Sequence, residues 1–170
     1  MNDNLKYILR FLVFLAVQLL LFQNLNLGTY LAPMPYILFL ILFPCTYPTA
    51  LLMLWAFAFG LALDILGAGI MGLHTASFVL AGALRSTILK TVTVKGDLDN
   101  LMVPGFNQLG FGRFSFFVLL CVMAHHLIFI TLESLSFFLF WQTFARFACS
   151  LLLNVFLILL FKKTFFERQR

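Results

Sequence analysis

Residues 30–66 form one long apolar run, YLAPMPYILFLILFPCTYPTALLMLWAFAFGLALDIL, which contains a single charged residue, Asp64. As one continuous helix these residues would measure about 55 Å, which is too long for one membrane crossing and about right for two. The natural break is the stretch PCTYP at residues 44–48, because proline disfavours helical geometry in the residue before it. The run therefore predicts two spans, a short one over residues 33–45 and a longer one over residues 48–66.

The composition of the whole chain points the same way. Of the 170 residues, 63% are hydrophobic and 10% are charged, whereas a soluble domain has about 45–50% apolar and about 25% charged residues. No charged residue occurs between Phe11 and Leu63. These values exclude a soluble enzyme, a disulfide-rich extracellular module and a disordered chain. They predict an integral membrane protein with little mass outside the bilayer.

Apolar runs elsewhere in the chain predict further spans, since a crossing helix needs about 20 residues. We predict a single all-α transmembrane domain over residues 1–170, with about six transmembrane helices. The predicted spans are residues 5–22, 33–45, 48–66, 73–89, 113–132 and 137–161. Residues 90–112, which contain charged residues, glycines and a proline, are predicted to form a cytoplasmic loop.

The basic residues set the predicted orientation. Six spans place both termini on one side of the membrane, and the segments on that side, with their flanks, carry ten of the eleven basic residues. Because basic residues collect on the cytoplasmic side, both termini are predicted to be cytoplasmic. Arg85, Lys90 and Lys95 are predicted to form a cytoplasmic rim, where Arg85 either snorkels to the membrane surface or binds lipid phosphate. The net charge of +5 then reflects contact with the lipid bilayer, and no nucleic-acid partner is expected.

Ionisable residues inside a span are costly, and they usually face the protein interior and have a partner. Asp64 shares one helix face with Ala56 and Gly60, and small residues on such a face let another helix approach closely. His74 follows across a glycine-rich turn, which ends at Gly72, and is within reach of a hydrogen bond to Asp64. We therefore expect a helix contact at this face. Small-residue faces of this kind, together with the span over residues 33–45, are the candidate surfaces for docking partner helices.

Arg146 is predicted to lie in the outer part of the last span, at a depth similar to that of Asp64. A pair between these two charges would lower the cost of both, and Glu133 is the competing partner for Arg146. His125 and His126 are neighbours on one predicted helix and point about 100° apart, so they do not easily face one site.

Two interpretations of this polar cluster remain open. Asp64, His74, Arg146 and His125 form either a binding site for a substrate, a proton or a partner helix, or a structural network that fixes helix register. The chain has no spacing typical of a metal site, a serine nucleophile elbow or a phosphate-binding glycine loop. We therefore predict no metal, no cofactor and no enzymatic activity.

Three motifs within residues 30–90 are similar to those of a known family. They are a proline-rich second span, a Gly-Leu-x-x-Asp stretch at residues 60–64 and a Gly-x-His start of the next span at residues 72–74. Together they resemble the MreD family of rod shape-determining proteins. Gly60, Asp64, Gly72 and His74 match the family pattern directly, whereas the predicted cytoplasmic loop carries no motif of the family.

The resemblance implies a non-enzymatic scaffold subunit of the bacterial cell-elongation complex in the inner membrane, which supports peptidoglycan synthesis and regulates cell shape. The partner it implies is the periplasmic scaffold MreC, and indirectly the MreB filament, the glycosyltransferase RodA and its penicillin-binding transpeptidase. The family fold is similar to the six-helix substrate-binding subunits of energy-coupling factor transporters. The polar cluster and the six predicted spans motivate an alternative interpretation, a substrate-binding membrane subunit of a small-molecule, vitamin-type transporter.

Overall fold

The computed structural model describes residues 3–25, 27–67, 70–94, 103–134 and 140–166, and within these ranges the regular structure is entirely helical. The helices are α1 Asp3–Val17, α2 Leu38–Ile41, α3 Thr49–Leu66, α4 Leu73–Val92, α5 Phe106–Ser134 and α6 Phe140–Phe161. Three shorter turns adjoin them: a π-helical turn Gln18–Phe22 after α1, a 3-10 turn Pro35–Ile37 before α2 and a π-helical turn Lys162–Phe166 after α6.

Four helical stretches in the described ranges are long and apolar enough to cross a membrane. They are Asn4–Phe22, Thr49–Leu66, Phe106–Glu133 and Trp141–Phe166. The predicted all-α fold is confirmed for the described residues, and four helical stretches have the length and composition of membrane spans. Helix α4 is also long, with 20 residues, and it packs between α3 and α5. It is less apolar than the four stretches.

Helix boundaries differ from the prediction around the expected cytoplasmic loop over residues 90–112. Helix α4 continues to Val92, and α5 already begins at Phe106 rather than near residue 113. Gly110 has a φ of +72°, a left-handed angle that only glycine adopts readily, and it joins a short first turn to the long part of α5. The loop is therefore shorter than predicted, and residues 95–102 lie outside the described ranges, as does the predicted start of the last span at residue 137.

Residues 33–43, which we call the central segment, depart most from the predicted transmembrane helix over residues 33–45. Only Pro35–Ile41 is helical, because the prolines at 33 and 35 lack the N–H that a helix interior requires. Seven residues rise about 10 Å as a helix, which is too short to cross a bilayer. All residues of the central segment are buried, and the segment contacts α1, α4 and α6. The predicted helix is thus wrong in length, and the long helices pack around this segment.

Two contacts show how the chain runs between α1 and α3. Gln23, just after α1, donates a hydrogen bond to the carbonyl of Gly67 at the end of α3, so α1 and α3 end at the same level. Near the start of α1, the Tyr7 ring stacks on Phe43 with centroids 4.6 Å apart. The chain between α1 and α3 therefore returns along α1 from its end to its beginning, partly extended and partly helical.

Candidate functional site

The most densely hydrogen-bonded carboxylate in the described residues is Asp64, near the end of α3. Its Oδ2 accepts hydrogen bonds from the backbone N–H of Gly72 (3.0 Å), the backbone N–H of Thr75 (3.0 Å) and the Thr75 hydroxyl (2.5 Å). Its Oδ1 lies 3.0 Å from both the backbone N and the ring Nδ1 of His74. The predicted hydrogen bond between His74 and Asp64 is confirmed. We call this arrangement the Asp64 cap.

The local sequence explains why the Asp64 cap forms. The first turn of any helix leaves N–H groups without an intrahelical partner, and the positive end of the helix dipole favours a negative charge there. Gly72 precedes α4 with a φ of +88°, a conformation that glycine adopts without strain. It turns the chain so that the first N–H groups of α4 point back at α3. Asp64 is 2% exposed, so its charge is balanced by these donors and the dipole rather than by water.

The small-residue face of α3 packs against α4 within the same chain. A Cβ atom placed on Gly60 would lie 2.5 Å from Thr75 Cα and 2.9 Å from the carbonyl oxygen of His74. Ala56, one turn earlier, is fully buried, and a Cβ on Gly82 of α4 would lie 3.4 Å from its methyl group. The expected helix contact is present, but it is internal. The prediction that this face and the central segment are docking surfaces is wrong, because both are buried inside the bundle.

Gly60→Ala tests this close contact. We expect a loss of about 1–3 kcal/mol, the cost of overpacking a tight contact, because the new methyl group meets backbone atoms that cannot rotate away. The measurement is the midpoint of thermal unfolding in detergent, followed by tryptophan fluorescence. Gly112→Ala is the matched control, since a Cβ there meets nothing within 4 Å and alanine favours helix by up to about 1 kcal/mol. Equal midpoints for the two variants would contradict the contact.

Arg146 pairs with Glu133 rather than with Asp64. Its Nη1 lies 2.9 Å from Glu133 Oε2 and its Nη2 lies 3.1 Å from Oε1, which is a two-pronged ion pair between α6 and α5. The predicted pair between Arg146 and Asp64 is therefore wrong, and the competing partner is the one observed. The reason is that the donors at the start of α4 already satisfy Asp64. Both side chains of the Arg146–Glu133 pair are about one third exposed, so the pair contributes about 0–1 kcal/mol at most.

Arg85 is not part of an exposed rim. Its side chain is 1% exposed, and its guanidinium group points inwards to the end of α2. It donates hydrogen bonds to the carbonyl oxygens of Phe43 (2.5 Å), Pro44 (3.4 Å) and Ile41 (3.5 Å). The predicted contact with lipid phosphate is wrong for this reason. A cation at these carbonyls is favourable because the last carbonyls of a helix have no intrahelical partner and carry partial negative charge.

The structure describes one of the two other predicted rim residues. Lys90, in the last turn of α4, is exposed. Lys95 lies outside the described residues. Of the two that are described, Arg85 lies in the protein core and Lys90 at the surface.

Two polar side chains of α6 satisfy the extended backbone that leads into the central segment. Ser150 bonds to the carbonyl of Tyr30 and to the N–H of Ala32. Asn154, one turn later, accepts the N–H of Met34 at 2.5 Å and donates to the carbonyl of Ala32 at 2.8 Å. Sequence analysis missed this role, although both residues are polar positions on one face of an apolar helix. These bonds replace the ones that a regular helix would make internally.

A buried chain of side-chain hydrogen bonds crosses the core from α6 to the central segment. The Asn154 amide nitrogen lies 3.0 Å from His126 Nε2, and the Nδ1 atoms of His126 and His125 lie 3.4 Å apart. His125 Nε2 then lies 3.0 Å from the Tyr36 hydroxyl, which reaches the sulfur of Met34 at 3.7 Å. The two histidines face different partners, as their 100° separation predicts, yet they are linked to each other.

The amide of Asn154 fixes the direction of this chain. Its nitrogen can only donate, so His126 accepts at Nε2 and carries its proton on Nδ1. His126 Nδ1–H then donates to His125, and His125 Nε2–H donates to the Tyr36 oxygen. In this arrangement each ring donates one hydrogen bond and accepts another, so Asn154, the two histidines and Tyr36 are linked in one direction. Such a network fixes the register of the helices that it connects.

The geometry therefore favours the structural interpretation of the polar residues. Asp64 and His74 connect α3 to α4, and Arg146 and Glu133 connect α6 to α5. His125 belongs to a third site, the chain of hydrogen bonds between α6 and the central segment. Across the described ranges, no group of three or more histidine, cysteine, aspartate or glutamate side chains is placed to hold a metal ion. The polar groups of these three sites pair with one another or with backbone of the same chain, which suits a rigid bundle.

Comparison of the chain with protein-family models, with curated proteins and with solved structures finds no match in any of the three.

Proposed function

We propose that this chain is a non-enzymatic scaffold subunit of the bacterial cell-elongation complex in the cytoplasmic (inner) membrane. One observation carries the proposal. The four residues that match the MreD pattern, Gly60, Asp64, Gly72 and His74, come together in a single joint between α3 and α4. The motif at residues 60–64 and the motif at residues 72–74 thus stabilise the same contact between α3 and α4. A rigid helix bundle of this kind fits a scaffold, whose role is to hold partner proteins in place.

The proposed topology has six crossings and both termini in the cytoplasm. The four apolar stretches provide four crossings, α4 provides a fifth, and the central segment provides the sixth as it returns along α1. Backbone that is not regular helix is tolerated at membrane depth only where protein buries it. The burial of all residues 33–43 supports this assignment, and the distribution of basic residues supports the orientation.

The proposed direct partner is an MreC-like periplasmic scaffold with one membrane span. MreB filaments, the glycosyltransferase RodA and its penicillin-binding transpeptidase are proposed as indirect partners. Helices associate in lipid through close packing and interhelical hydrogen bonds. Because the small-residue face of α3 is used within the bundle, the partner has to bind a different surface.

A vitamin-type transporter subunit remains the second candidate, but the contacts favour the scaffold. A site for a polar small molecule needs polar groups that converge on a cavity. In the described core, Ser150, Asn154 and Arg85 instead bond to backbone of the chain itself. These groups are therefore committed to holding the central segment in place.

Depletion of the protein in its native host tests the proposal. We expect rod-shaped cells to become round, because the elongation complex loses a subunit, and the tagged wild-type chain to co-purify an MreC-like protein. Lys90→Ala, which changes an exposed residue, serves as the control that restores shape. Normal shape after depletion, together with loss of vitamin uptake, would overturn the scaffold proposal in favour of the transporter.

A further inference from the structure

An apolar groove runs between α1 and the end of α6 and has a volume of about 510 Å³. Val13 and Val17 of α1 form one wall, Phe161 and Phe165 form the other, and Tyr36 of the central segment lies at its floor. We call this cavity the α1–α6 groove. On this side the lining residues run from Leu9 in α1 to Phe22 in the π-helical turn after it, a rise of about 20 Å. This length is close to the hydrocarbon depth of one leaflet, about 15 Å.

A second cavity, which we call the basic pocket, lies at the start of α1 and has a volume of about 420 Å³. Lys6 and Arg10 line it together with the hydroxyl-bearing residues Tyr7, Thr46 and Tyr47. Its chemistry therefore suits a phosphate group, which accepts hydrogen bonds and carries negative charge.

Arg10 lines both cavities and joins them into one path. Its Nη1 donates a hydrogen bond to the carbonyl of Leu42 at 3.1 Å, which holds the half-buried guanidinium group at the junction. The path is thus basic and polar at one end and apolar along the rest. A molecule that fits it must have an anionic head and one long apolar chain attached to it.

We propose that this path binds one anionic glycerophospholipid, with its phosphate at Lys6 and Arg10 and one acyl chain in the α1–α6 groove. Charge complementarity and size both favour a lipid over a helix of a partner protein. A helix about 10 Å wide and 20 Å long occupies about 1,600 Å³, three times the volume of the groove.

Native mass spectrometry of the full chain, titrated with phosphatidylglycerol, tests the proposal. Phosphatidylcholine with the same acyl chains is the matched zwitterionic probe. We expect one phosphatidylglycerol to bind at least ten times more tightly than phosphatidylcholine. Lys6→Gln should weaken phosphatidylglycerol binding at least fivefold, and Lys90→Gln, which removes an exposed charge of the same kind, should not change it.

The groove itself is tested by a pair of variants on adjacent residues. Val13→Trp fills the groove and should weaken phosphatidylglycerol binding at least tenfold, whereas Leu12→Trp changes an equally exposed side chain that does not line the groove. Both variants keep the Arg10 contact, and their unfolding midpoints show that they are folded. Equal affinity for the two lipids, equal effects of the two tryptophans, or complete displacement of the lipid by inorganic phosphate would overturn the proposal.

Discussion

Asp64→Ala lowers the thermal unfolding midpoint of this protein by about 6–12 °C, because it leaves the start of α4 without an acceptor. Three backbone N–H groups, of Gly72, His74 and Thr75, lose the buried carboxylate that accepts their hydrogen bonds. A donor left without a partner costs about 1–3 kcal/mol when it is buried. These three donors are only partly buried, so we take the lower value for each, about 3 kcal/mol together. For a chain of this size, 1 kcal/mol corresponds to about 2–4 °C. The midpoint is measured in detergent by tryptophan fluorescence.

A graded series distinguishes the Asp64 cap from a nonspecific loss of packing. Asp64→Asn keeps the size of the side chain but turns one accepting oxygen into a donor, so we expect an intermediate loss. Thr75→Val removes only the hydroxyl donor among the five and should cost about 1 kcal/mol or less. If Asp64→Asn were as stable as the wild type, the carboxylate would not act as a cap.

Arg85→Met is expected to lower the same midpoint by about 6–12 °C. The methionine keeps most of the apolar contacts of the arginine stem, but the carbonyl groups of Phe43, Pro44 and Ile41 lose their donor. Hydrogen bonds to a charged group contribute about 1.5–3 kcal/mol each. The bond to Phe43 is short, whereas those to Pro44 and Ile41, at 3.4 and 3.5 Å, are weak, so we expect a loss of about 3 kcal/mol in total, or about 6–12 °C. The end of α2 is then left with buried carbonyls that have no partner.

Lys90→Met is the matched control for Arg85→Met. It removes a positive charge from the same helix, five residues further along, but from an exposed position. We expect a change of less than about 2 °C, which corresponds to the small effects of surface substitutions. A rise in the midpoint of Arg85→Met would mean that the cost of burying the guanidinium group exceeds the gain from its hydrogen bonds.

The contrast between Asp64 and Arg85 shows which parts of the site are predictable from sequence. Asp64 and His74 lie on either side of one short turn, so helix spacing alone brings them together. The partners of Arg85 are not predictable in this way. Its position near the end of a predicted span is as compatible with contact to lipid phosphate as with contact to backbone carbonyls. Its actual partners are carbonyls of residues 41–44, and a hydropathy pattern does not reveal that a helix ends there.

The central segment and α6 show a second limit of prediction from sequence. The composition predicts that residues 33–43 lie in the membrane, but it does not reveal that they are only partly helical. Ser150 and Asn154 are recognisable as a polar face, yet their partners are backbone groups more than 100 residues away, which leave no local signal. For Arg146, estimated depth left two acidic candidates, and only the packing of α5 against α6 decides between them.

The long sequence separation of these bonds has a consequence for how the protein is made. Tyr30, Ala32 and Met34 take hydrogen-bond partners from positions between 118 and 122 residues later in the chain. When the ribosome has produced the first half of the protein, these peptide groups have no donors or acceptors in lipid, where each unsatisfied group costs several kcal/mol. The hydrogen bonds of these residues are therefore formed last, when α6 leaves the insertion machinery and packs against them.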